Sequence, residues 1–260
     1  MTRSGDGTPA FVKPSSIRRV VEAARASFQF EPGVAISIET TPIIADREPD
    51  KLHAFREMGI ERISMGVQTT HLKLARSLER EYEGLTMWER AVCNVRDAGF
   101  RRFNVDLLVG KADQSPDSWR ATVEQTIGLE PEYITLYQMR YKGTRMRDQA
   151  ACVTRQMTNE LAAIARDLLL TAGYSGTPGK NTYSKIPNDV GTSDYLTERV
   201  VKGTPYLGLG LGAQSLSHHT LSYNSGAASK SLSPTCGPWT PDGCRSKTST
   251  TCPWTRRWPK

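Results

Sequence analysis

The sequence predicts an α/β fold of parallel strands, and three observations carry that prediction. Short β-branched runs recur at Val34–Glu39, Arg62–Gln68, Phe103–Val109 and Ile134–Met139. Between them lie stretches whose apolar residues repeat at helical spacing, and Gly59 and Gly99 stand where two of those helices should stop. Strand and helix alternating at roughly thirty to forty residues form βαβ units, which close as a barrel or open as a doubly wound sheet.

Taken in order, residues 15–28 read as a helix, with Ile17, Val20, Val21 and Ala24 on one face. The strand Val34–Glu39 follows, then a helix from Asp46 to Met58 closed by Gly59. After the strand Arg62–Gln68, helical patterns cover His71–Leu78 and Thr86–Ala98. Past the third strand, Ser115-Pro116 reads as a capping serine with proline at the first helical position. The fourth strand precedes a long helix from about Thr154 to Thr171. Cys93 and Cys152 fall inside these patterns and are expected to be buried free thiols.

The chain has 260 residues and a net charge of +7. Six basic residues against Asp242 alone lie in 225–260, which leaves residues 1–224 at a net +2. A phosphate-backbone binder would cluster its charge on a folded face, so nucleic acid is not an expected partner. No run of eighteen apolar residues and no secretory leader occur, so no membrane partner and a cytoplasmic location are expected. Residues 225–260 hold six Ser, six Thr, five Pro and one Leu, with Cys236, Cys244 and Cys252 eight apart. That composition predicts a disordered C-terminal tail, and the abrupt change at Asn224 suggests a shifted reading frame.

Each strand ends on polar residues: Glu39, Gln68, Asp106, and Tyr137 with Gln138. A carboxylate late in an apolar strand either points out of a barrel mouth or suffers heavy desolvation. Several at one rim indicate a polar ligand at the carboxyl ends of the strands, where parallel α/β folds place their chemistry.

Several segments, in order, are similar to the oxygen-independent coproporphyrinogen III oxidase family of radical S-adenosylmethionine (SAM) enzymes. They are Gly5–Pro9, Ile36–Pro42, Arg62–Gln68, Leu78–Arg80, Phe103–Gly110 and Leu136–Thr144, with Tyr206–Ser215 and Tyr223-Asn224 further on. The resemblance implies a partial, radical-SAM-type (β/α) barrel, an incomplete TIM-like barrel, over 1–175, the start of a post-barrel region over 176–224, and a tail. It implies SAM contacts at Gly7 and Thr8 in a glycine-rich turn, at Glu39 for the ammonium and at Arg80 for the carboxylate. Gln68 and Asp106 match groups on the same cofactor, with Asp106 suited to ribose hydroxyls.

The family holds a [4Fe–4S] cluster on a C-x3-C-x2-C loop, where it supports reductive cleavage of SAM to a deoxyadenosyl radical. That motif is absent from this sequence, whose match begins at the glycine-rich turn. The expectation is a truncated chain without the cluster loop and first βα unit, and inactive or nearly so as given. Lys111-Ala-Asp-Gln replaces the proline-containing turn usual in the family. A complete relative would act on a tetrapyrrole or a secondary metabolite and draw on an electron-donor protein. Two other readings are a radical SAM methyltransferase or cyclopropane-forming enzyme, and a non-catalytic haem- or ligand-binding module using His218 or His219.

Overall fold

Proline and glycine set most element boundaries in the computed structural model, which describes residues 8–142, 144, 146–177, 180–189, 197–210 and 212–224. The chain forms two units, Met1–Thr192 and Ser193–Lys260. In the first, a 3-10 turn (Pro9–Phe11) leads to α1 (Pro14–Ser27), which begins on a proline whose missing N–H has no partner to lose. The first strand is β1 (Ile36–Thr40).

The helix expected over 46–58 is instead two, α2 (Pro42–Arg47) and α3 (Pro49–Glu57). Pro49 forces the break, because the residue before a proline is driven out of helical conformation. Glu48 accordingly sits at φ −130°, ψ 55°. Thr41 caps α2 by accepting from the Ile44 N–H at 3.3 Å.

Next come β2 (Ile60–Gln68), α4 (Leu72–Ser77), α5 (Leu85–Asp97), β3 (Arg102–Val109) and α6 (Pro116–Gly128). Ser115 caps α6 as expected, accepting from the Ser118 N–H. β4 (Tyr133–Gln138), a 3-10 turn (Arg147–Cys152) and α7 (Arg155–Thr171) follow. Two short strands not foreseen in the sequence, β5 (Ser175–Gly176) and β6 (Thr182–Ser184), complete the unit.

The sheet order is β1-β2-β3-β4-β6-β5. The first four strands are parallel, β6 is antiparallel to β4, and β5 is antiparallel to β6. The sheet is open among the described residues, in agreement with the expected partial barrel. Side chains alternate along each strand. Ile38, Ile63, Met65, Val67, Phe103, Val105, Leu107 and Ile134 lie in one apolar core with the buried helix residues Leu52, Phe55, Trp88, Trp119 and Leu161. The Trp119 indole donates to the Leu161 carbonyl at 2.7 Å and ties α6 to α7.

Cys93 and Cys152 are exposed, contrary to expectation. On α5 the inward stripe is Met87, Trp88, Ala91, Val92 and Val95, and Cys93 falls outside it. Cys152 ends a 3-10 turn with no buried residue.

The second unit has a π-helical turn (Thr197–Lys202) and an antiparallel hairpin of β7 (Gln214–Leu216) and β8 (Leu221–Tyr223). The Asn224 side-chain amide donates to the carbonyls of Gly208 and Gly210, and a Cβ on Gly208 would lie 2.2 Å from the Gln214 oxygen. This stretch of the glycine-rich segment is therefore a turn held close against the hairpin. His218 and His219 are exposed between β7 and β8. The tail over 225–260 and its cysteines lie outside the described residues.

Candidate functional site

The face of the sheet opposite the apolar core is polar. Parallel register places Glu39 beside Ser64, Ser64 beside Asn104, Gly66 beside Asp106, and Asp106 beside Thr135. The Asp106 carboxylate accepts from Ser64 Oγ at 2.8 Å through one oxygen and from Asn104 Nδ2 at 2.7 Å through the other. Thr135 Oγ1 donates to Asn104 Oδ1 at 2.8 Å and lies 3.2 Å from Thr182 Oγ1. A chain of side-chain hydrogen bonds thus crosses from β2 to β6 and orients Asp106. Each partner sits at the alternate strand position that shares this face.

Below this chain, the buried Arg62 guanidinium lies 4.7 Å from the Tyr133 ring centroid. Burial lowers its pKa, against the raising influence of Tyr133 and Asp189. Tyr133 donates to Asp189 at 2.6 Å, and Arg102 reaches both.

At the upper end of β2, Gln68 has φ +69°, and the Thr69 N–H donates to the Val67 carbonyl at 2.9 Å. Together these make a γ-turn of the rarer, strained hand centred on Gln68. The register between β2 and β3 slips at the same point. The Gln68 amide nitrogen folds back over Gly66 and so lies on the polar face.

Tyr82 lies under this turn, its hydroxyl donating between the carbonyls of Gly66 and Val67 at 3.2 and 3.1 Å. Burial raises the Tyr82 phenol to about 12, opposed by the nearby positive charge of Arg80. Glu83 is occupied by Arg47 and Arg90, and Arg80 has no salt bridge among the described residues. Thr8 is extended and precedes the 3-10 turn packed against β1. Gly7 lies outside the described residues.

Glu39, Gln68 and Asp106 therefore share one face. Ser64, Asn104 and Thr135 were missed, although their period-two spacing from Gln68, Asp106 and Tyr137 on the same strands was readable in the sequence. No local pattern marked Tyr82. Among the described residues, no three His, Cys, Asp or Glu side chains group so as to hold a metal ion. The described residues thus do not fit an iron–sulfur cluster.

The open α/β sheet, with its parallel strands ending at one polar rim, matches the fold of a solved radical SAM enzyme. The solved coproporphyrinogen III oxidase (HemN) of Escherichia coli, described as a radical SAM enzyme, matches with a TM-score of 0.68 and 25% identity. That match covers 84% of this chain and 52% of the other. In sequence, the chain is 33% identical over 134 residues to the oxygen-independent coproporphyrinogen III oxidase of Escherichia coli, covering 51% of this chain. It is 27% identical over 175 residues to that of Paracoccus denitrificans, covering 65% of this chain. It is also 29% identical over 135 residues to the heme chaperone HemW of Escherichia coli, covering 52% of this chain and 35% of the relative. The chain spans 28% of the length of the first oxidase and 38% of the second. No protein-family model matches. In sequence and fold the chain is similar to part of the oxygen-independent coproporphyrinogen III oxidases.

Proposed function

We propose that the polar rim of the sheet binds SAM, as part of a radical SAM protein of the coproporphyrinogen oxidase type. The single observation that supports this reading is the shared face of Glu39, Gln68 and Asp106, in which both Asp106 oxygens are already oriented. Asp106 accepts from the ribose hydroxyls, Glu39 takes the ammonium, and Arg80 takes the carboxylate. Gln68 presents its amide between them, and Gly7 and Thr8 supply further contacts to the ligand. In a complete relative, a bound cluster supplies the electron for SAM cleavage, and the substrate class is a tetrapyrrole.

For the chain as given we propose binding without turnover. The sequence has no C-x3-C-x2-C trio, and the two described cysteines are exposed. Calorimetric titration of the full chain with SAM tests the site. Binding that weakens about tenfold or more in Asp106→Ala is expected, the loss of a charge-assisted hydrogen bond. No binding, or affinity unchanged in Asp106→Ala, overturns the reading. Anaerobic reconstitution with iron and sulfide tests the second part, and deoxyadenosine formation would refute it.

A further inference from the structure

Gln68 holds a strained backbone conformation at the rim, and such strain persists only where the surroundings over-determine it. From below, the Tyr82 hydroxyl binds the two carbonyls that precede the turn, those of Gly66 and Val67. From the other side, the two residues after Gln68 converge on one atom of another element, the hydroxyl of Thr122. Thr122 lies in mid-α6 and is fully buried. Its own proton goes to the Ser118 carbonyl at 2.9 Å, so toward the turn Oγ1 acts as an acceptor. Thr70 Oγ1 donates to it at 3.2 Å, Thr69 Oγ1 lies at 3.2 Å, and the Thr70 N–H reaches it at 3.4 Å. Thr69 Oγ1 in turn accepts from the His71 N–H, which carries the anchorage to the start of α4.

Thr69 and Thr70 are themselves 2% and 6% exposed, so water cannot readily replace this acceptor. Removing the Thr122 hydroxyl takes this acceptor from three buried groups, the hydroxyls of Thr69 and Thr70 and the Thr70 N–H, and rotating the turn outward lets them reach water. That rotation releases Gln68 from the left-handed region. We infer that Thr122 is a positioning residue, which acts through Thr69 and Thr70 to hold the Gln68 turn so that the Gln68 amide faces the ligand. The inference rests on the SAM-binding reading of the rim, and its test separates the two.

The full chain is titrated with SAM as wild type, Gln68→Ala, Thr122→Val, Thr122→Ser and the Gln68→Ala/Thr122→Val pair. Thr122→Val keeps the side-chain shape and removes the acceptor. It should weaken binding by about fivefold to tenfold, the worth of one net hydrogen bond. The pair should bind no more weakly than Gln68→Ala alone, and Thr122→Ser should restore binding. Wild-type affinity in Thr122→Val, or losses that add in the pair, overturns the inference. Without ligand, backbone NMR shifts report φ at residue 68. A positive φ retained in Thr122→Val overturns the inference, and its loss supports it. If the wild type does not bind SAM, the rim reading falls while this measurement still decides the hold of Thr122 on Gln68. Thr70→Val, which cuts the same link from the turn side, carries the same outcomes should Thr122→Val not fold.

Discussion

The amide nitrogen of Gln68 lies 2.9 Å from where a Cβ on residue 66 would stand, so only glycine leaves it room. The obstacle is the tip of a flexible side chain, and Gly66 does not have a positive φ. Gly66→Ala should therefore fold, with a stability change within about 1 kcal/mol. Its effect should fall on Gln68, whose displaced amide lowers SAM affinity to the level of Gln68→Ala. Thermal melting and calorimetric titration check the two halves, and wild-type affinity in Gly66→Ala would count against the assigned role of Gln68.

Thr135→Val interrupts the hydrogen-bond chain at its middle. The hydroxyl is buried and donates to Asn104 Oδ1 at 2.8 Å. The loss leaves a buried acceptor short of a donor, at a cost of about 1–3 kcal/mol. For a chain of this size each kcal/mol lowers Tm by about 2–4 °C. A melt that does not shift would show that Asn104 finds another donor.

Tyr82 governs an alkaline limit. Its folded-state phenol is pushed up to about 12 by burial, above the usual 10, so folding favours the protonated form. This contribution is complete below pH 10 and is lost as pH rises from 10 through about 12. Denaturant melts should show stability falling across that window, with a shallower fall in Tyr82→Phe. Equal slopes in the two proteins would remove Tyr82 from the account.

At the acid end, the Arg90 guanidinium grips both oxygens of Asp46 at 2.7 and 2.8 Å and holds that carboxyl below its usual range. A lowered carboxyl stabilises the fold above the unfolded value near 3.8, and the benefit is lost as pH falls through the lower folded value. Asp46→Asn should be less stable than wild type at pH 7, and the two should converge as the pH falls below 3.8 and through the lower folded value. A gap that persists in acid would mean that packing, not charge, is responsible.

Much of the fold was legible because it rests on short-range rules. The four parallel strands were expected within one or two residues of their observed starts, and Gly59 and Gly99 stop helices at φ +82° and +86°. Reading 46–58 as one helix failed because apolar periodicity runs straight through Pro49, while the ring does not permit the backbone to follow. The strands β5 and β6 escaped notice because two or three residues carry no detectable period, and pairing with β4 supplies the order.

By itself the sequence determined which residues alternate toward the polar side of each strand, and so that Glu39, Gln68 and Asp106 stand at strand ends. Side-chain direction in a strand follows from chain geometry alone. Only the tertiary structure decided that these ends meet on one face. It also decided that Asn104 orients Asp106 and that Tyr82 and Thr122 hold the Gln68 turn. Those relationships join residues up to 53 positions apart. Their partners are chosen by strand register and helix packing, which no local pattern encodes.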